Sequence, residues 1–270
     1  MSAALLFDNP VLDHEVRQRV RVLRRLGGVG LPMGLCLGLF AVAYIALIFF
    51  LAGHDANTAR GEDNVCSFVV LLCLLVPGLA AGSIAGERRR GAWEPMLVTR
   101  LTPAELIVGK FAGVMVWPLL VILLAQPVLL MTTQVPDWPL TWRAGVPITL
   151  ATCAGLAGVS MLCSARCRSH RAALTWSYGL TFALAFAPVL LTIPAESLHL
   201  FNADRAIAVT APLCPLGMAI AMFDPATLAK GSLPFAWAGV AVYLVLAVVC
   251  LAVIIQHFEP WLGRDAQRSA

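Results

Sequence analysis

The chain has 270 residues, of which 60% are hydrophobic and only 13% are charged, whereas a soluble domain carries about 25% charged residues. Its charges are clustered and leave apolar runs of about twenty residues, the length that crosses about 30 Å of hydrocarbon. These properties exclude a water-soluble globular fold. The net charge of +4 comes with no basic array of the kind that binds nucleic acid.

The first predicted element is an amphipathic helix over 8–26. Asn9 suits the N-cap, and Pro10 follows at the first helical position. Apolar residues then recur at helical spacing on one face, and arginines and other polar residues fill the remainder. Such a helix lies in the headgroup plane, where anionic lipid favours its arginines. The alternative is an ordinary basic flank of the first span.

Six apolar runs follow, and each is predicted to cross the membrane as an α-helix. They fall near 30–52, 65–85, 111–134, 144–165, 172–195 and 234–256. The fold class is therefore an all-α polytopic membrane protein, with a single transmembrane domain over 1–270.

The segment 196–233, between the fifth and sixth spans, contains a further apolar run at 206–223. Pro212 and Pro215 interrupt this run, and each removes a backbone donor and disfavours helix at the preceding residue. We expect short re-entrant helices that dip into the outer leaflet. A seventh span is the alternative.

Lysine and arginine counts predict the orientation. Five lie before the first span, five in the second connection, three in the fourth and two in the tail, so 15 of the 19 fall on one side. Positive charge stays in the cytoplasm, which puts both termini and the second connection there. Cys66 and Cys214 then both fall on the outer side, which leaves a disulfide between them open.

The predicted spans hold no Asp, Glu, Lys, Arg or His in their apolar cores, although ion-coupled carriers usually place such groups there. The chain also lacks a zinc-protease HExxH motif, a Gly-x-Ser-x-Gly motif and a phosphate-binding loop. We therefore predict no catalytic, cofactor-binding or metal site in this chain. If it transports a solute, the driving force enters from outside the bilayer.

The second connection, 86–110, reads GERRRGAWEPMLVTRLTPAELIVGK. Thr102, Pro103 and Glu105 predict a capping box with proline at the first helical position, and hence a helix that continues into the third span. Upstream lie an arginine cluster, a tryptophan and a short apolar patch. Trp and Arg commonly dominate binding energy at interfaces, so this loop is predicted to be a docking surface. A basic flank that only fixes topology would need neither the acids nor Trp93.

The motifs at 86–94, 102–103 and 109–110 resemble, in order and placement, the signature of type-2 ATP-binding-cassette (ABC) exporter permeases. The residues at 9–10 and 15–19 are similar to that family's N-terminal amphipathic helix. The six predicted spans extend the likeness over the whole chain.

The resemblance implies a permease subunit of an ATP-driven exporter that works by alternating access. Its partners would be an ABC ATPase subunit, a second permease copy or paralogue, and the lipid bilayer of the plasma (inner) membrane. ATP and Mg would be bound by the ATPase, with no cofactor in this chain. The loop between spans two and three would carry a coupling helix, in which Arg89 and Trp93 depart from the family pattern of an acid and a threonine. The implied ATPase contacts are Glu87, Arg88, Arg89, Arg90, Trp93, Glu94, Met96 and Leu97.

Two other classes of function stay open from the residues alone. One is a membrane scaffold that anchors other proteins without transport, and the other is a membrane-embedded enzyme with an unrecognised site. A neighbouring gene for a soluble protein with a phosphate-binding loop would favour the permease over both.

Overall fold

The computed structural model describes residues 61–89, 102–132, 145–167, 169–197, 213–223 and 233–269. These segments form six α-helices and, within the described ranges, no strand. The helices are α1 (Gly61–Arg89), α2 (Pro103–Thr132), α3 (Val146–Arg166), α4 (His170–Ser197), α5 (Pro215–Phe223) and α6 (Leu233–Ser269). The predicted helix at 8–26 and the first predicted span lie outside the described residues.

The all-helical class is confirmed, and α1, α2, α3, α4 and α6 coincide with the second to sixth predicted spans. Four helices are long and apolar enough to cross a membrane, judged by length and composition. They are Phe68–Glu87, Pro103–Leu123, Val146–Arg166 and Trp237–Phe258. Helix α4 is not among these four, although its 28 residues would extend about 42 Å.

Helix α3 is the centre of the bundle, because it packs against α1, α2, α4 and α6 and is buried along most of its length. Its sequence is rich in small residues, which allow helix backbones to approach closely in a membrane. At Gly155, an added Cβ would lie only 2.5 Å from Cδ1 of Tyr243 on α6. The tyrosine ring therefore occupies the place of the missing side chain.

Helix α1 contains Pro77, which cannot donate a backbone hydrogen bond and disturbs the preceding turn. The Tyr178 hydroxyl on α4 donates to the Leu74 carbonyl of that turn at 2.9 Å. Gly78 makes room for the contact, because a Cβ there would lie 2.8 Å from the tyrosine oxygen. A side chain from α4 thus satisfies a carbonyl in the turn that the proline disturbs.

Helix α5 has nine residues, a length of about 14 Å, so it cannot cross a bilayer by itself. Two hydrogen bonds attach the residues just before α5 to the bundle. Tyr243 donates its hydroxyl to the Leu213 carbonyl at 3.1 Å, and the Cys214 thiol donates to the Ala185 carbonyl of α4 at 2.8 Å. Cys66 and Cys214, both within the described residues, are not joined by a disulfide. Residues 206–212 are not described, so the re-entrant path stays a prediction.

Candidate functional site

The candidate site is the connection between α1 and α2. The predicted connection at 86–110 is helical at both ends. Residues 86–89 form the last turn of α1, and residues 103–110 form the first turns of α2, as the capping box predicted. What connects the two helices is the segment 90–102, hereafter the α1–α2 loop. Of its residues only Thr102 is described.

The capping box at the start of α2 is confirmed. The Thr102 amide donates to Oε2 of Glu105 at 2.9 Å, and the Glu105 amide donates to Oγ1 of Thr102 at 3.3 Å. The Leu106 amide then donates to the Thr102 carbonyl at 3.1 Å. These bonds satisfy amides that a helix N-terminus leaves without partners. The end of the α1–α2 loop therefore has a fixed geometry.

A buried ion pair joins the two helices beside this loop. The Lys110 ammonium of α2 lies 2.5 Å from Oε2 of Glu87 in the last turns of α1. The lysine side chain is fully buried, and that of Glu87 is 16% exposed. Removing one partner of such a pair strands a desolvated charge, which is strongly unfavourable. The pair therefore fixes the last turn of α1 to α2.

This pair refines the prediction that the spans contain no ionisable group. The predicted spans ended at residue 85 and began at residue 111, which left Glu87 and Lys110 in the connection. Both residues are helical, and both fall within helices long and apolar enough to cross a membrane. The pairing explains how these two charges can lie inside the bundle, which hydropathy alone does not show.

Of the predicted ATPase contacts, the structure describes the side chain of Glu87 alone. Arg88 and Arg89 belong to the last turn of α1, but their side chains lie outside the described part of the chain. The other five predicted contacts, Arg90, Trp93, Glu94, Met96 and Leu97, also lie outside it. The structure brings Glu87 to Lys110, and the other contacts stay predictions.

No family model and no curated protein matches this chain. The resemblance to ABC permeases therefore depends on the motifs and on their placement.

Sequence reasoning missed two residues beside the site. Lys110 was recognised as part of a Gly-Lys motif, but its pairing with Glu87 was not. Opposite charges at the facing ends of consecutive spans are the signal that could have found it. Ser164 of α3, which contacts α1 close to Glu87, carries no such signal, because single serines are common in membrane helices.

Proposed function

We propose that the chain is the permease subunit of an ATP-driven exporter of the type-2 ABC class. The observation that carries the proposal is the buried Glu87–Lys110 pair, together with the capping box that starts α2. A loop that only connected two spans would not need both of its ends fixed. A loop that transmits force between a partner and the bundle would.

The proposed arrangement has six spans, cytoplasmic termini and a position in the plasma (inner) membrane. The α1–α2 loop would lie on the cytoplasmic side and receive an ABC ATPase subunit, and two permease chains would form the transport path between them. The arginines in the last turn of α1 and the basic residues near the start of α4 support this orientation, because positive charge stays in the cytoplasm.

In this mechanism, ATP closes the partner dimer and the loops transmit that closure to the spans. The ATPase can shift the permease between two conformations only by as much as it binds one of them better. The loop contacts must therefore differ in free energy between the inward- and outward-facing states. Because the loop is attached rigidly at Glu87 and Thr102, less of this difference in binding free energy would be lost in bending of the loop.

Purification of the tagged chain from its native membrane in mild detergent tests the proposal. We expect a soluble protein with a phosphate-binding loop to co-purify in near-stoichiometric amount and to hydrolyse ATP. An unrelated tagged polytopic protein from the same cells is the control. Recovery of the chain with other membrane proteins and no ATPase would favour the scaffold alternative.

A further inference from the structure

Ser164 forms three hydrogen bonds with α1, although it belongs to α3. Its hydroxyl donates to the Ala81 carbonyl at 2.6 Å and accepts from the amides of Ile84 at 3.1 Å and Ala85 at 2.9 Å. The serine is fully buried. All three hydrogen bonds of the Ser164 hydroxyl therefore join it to the backbone of the neighbouring helix α1.

The three partners place the hydroxyl within the hydrogen-bond ladder of α1. In a regular α-helix, the amide of residue 85 donates to the carbonyl of residue 81. Ser164 contacts both of these groups and therefore enters the ladder from outside. Insertion of a side chain into the ladder is an established cause of a bend in a helix.

The Ser164 contact lies close to the point where α1 leads into the α1–α2 loop. Ile84 and Ala85 come directly before the turn that carries Glu87, and that turn leads into the α1–α2 loop. On the side of α4, the small side chains of Ala81 and Ala85 pack against Ala173, with Leu174 beside them. The last turn of α1 is thus held to α2 through Glu87 and to α3 through Ser164.

We propose that Ser164 is a positioning residue that sets the direction in which α1 leaves the bundle and so fixes the α1–α2 loop relative to α3. Its relevance to transport depends on the proposed function, in which that loop contacts an ATPase. A force on the loop then reaches α3 through the Ser164 hydroxyl, in addition to the packing of α1 against α3.

The chain offers a matched control in Ser83, which is also buried and lies in the same turns of α1. Its hydroxyl donates to the Ala80 carbonyl of its own helix at 2.7 Å. Ser83→Ala therefore removes a buried hydroxyl without removing a contact between helices. Ser164→Cys gives a side chain of the same shape and slightly larger volume but replaces the hydroxyl with a weak hydrogen-bonding group.

The experiment measures hydrogen exchange of the full chain in lipid nanodiscs, by mass spectrometry of peptides that cover 84–89. Loss of a typical hydrogen bond should accelerate exchange through local opening by about fivefold. We expect this acceleration in Ser164→Ala and in Ser164→Cys, with Ser83→Ala close to wild type. The thermal midpoints of all variants should stay similar, because the effect is local.

Two results would overturn the inference. One is equal exchange at 84–89 in Ser164→Ala and Ser83→Ala. The other is wild-type exchange in Ser164→Cys, which would show that side-chain volume matters and the hydroxyl does not.

In the purified complex, Ser164→Ala should also lower the amount of ATPase that co-purifies by about fivefold relative to Ser83→Ala. If the wild-type chain retains no ATPase, the proposed function fails, and the exchange data alone decide the role of Ser164.

Discussion

At the scale of single residues, the ion pair between α1 and α2 illustrates how a charge is kept inside an apolar bundle. Lys110 is fully buried, and an isolated ammonium there would carry a large desolvation penalty. Glu87 offsets that penalty from the neighbouring helix while it retains limited contact with solvent. The lysine is therefore tolerated only where the last turns of α1 bring a carboxylate to it.

Changes to this pair should be strongly non-additive. Glu87→Gln removes the carboxylate from beside a buried ammonium, and we expect it to destabilise the chain by about 2 kcal/mol. Lys110→Met combined with Glu87→Gln should cost less than Glu87→Gln alone, because no buried charge is left. Thermal unfolding in detergent measures both variants.

Glu105→Gln is the control for the pair, because it removes an exposed carboxylate from the capping box of α2, where glutamine can still accept the hydrogen bond. It should destabilise the chain less than Glu87→Gln does. A double variant at least as unstable as Glu87→Gln alone would contradict the proposed role of the pair.

Close packing at Gly155 gives a second prediction at this scale. A methyl group there would overlap the Tyr243 ring, and overpacking of a core costs about 1–3 kcal/mol. Gly155→Ala should therefore lower the thermal midpoint. Gly179→Ala is the matched control, since nothing lies within 4 Å of its added Cβ and alanine favours helix. Equal midpoints for the two variants would show that α3 and α6 do not approach this closely.

At the scale of elements, local signals predicted the helices well. The start of α2 could be predicted because the capping box lies within four consecutive residues, and its two hydrogen bonds have the predicted partners. The contacts that fix the end of α1 could not be predicted in this way. Lys110 and Glu87 are 23 residues apart, and Ser164 and Ala85 are 79 apart. Such pairs depend on which helix faces are in contact, which a single sequence does not specify.

The α1–α2 loop carries the prediction that belongs to this scale. Trp93→Ala or Glu94→Ala should weaken co-purification of the ATPase subunit and leave membrane insertion intact. Truncation of a hot-spot residue costs about 2 kcal/mol or more, roughly thirtyfold in affinity.

Trp176→Ala is the control for the loop, because that tryptophan is exposed on α4 and lies outside the loop. If neither loop variant changes ATPase association or ATP turnover, the assignment of the loop as the coupling element is wrong.

At the scale of the whole molecule, the bundle is held together by packing around α3, and several polar contacts occur near the ends of helices. Glu87, Ser164 and the start of α4 meet at one end, since an added Cβ on Gly82 of α1 would lie 3.1 Å from the His170 ring. Arg166 and Arg171 flank this end. The described contacts therefore place the end of α1, the end of α3 and the start of α4 at the same end of the bundle.

Cysteine-accessibility labelling in intact cells tests the topology. We expect cysteines introduced at Asp137 and Asp204 to react with an impermeant reagent. Cysteines at Arg100 and Ala270 should react only after the membrane is opened. The parent chain gives the background from its own thiols, of which Cys66 and Cys167 are partly exposed among those described. Reaction at Ala270 in intact cells would place the tail outside and support seven spans.

The source of energy is the property that most sharply separates an exporter permease from a secondary carrier. The Glu87–Lys110 pair lies toward the ends of α1 and α2 that adjoin their connection, and the apolar cores of the predicted spans contain no ionisable residue. Proton-coupled carriers place such groups along the path. We therefore expect ATP turnover by the reconstituted complex to continue when an uncoupler collapses the proton gradient, and the purified chain alone to hydrolyse no ATP.

Liposomes that contain only this chain, loaded with a pH-sensitive dye, should show no proton flux above empty liposomes when a gradient is imposed. Gradient-driven flux through the chain alone would refute the exporter permease and favour a secondary carrier.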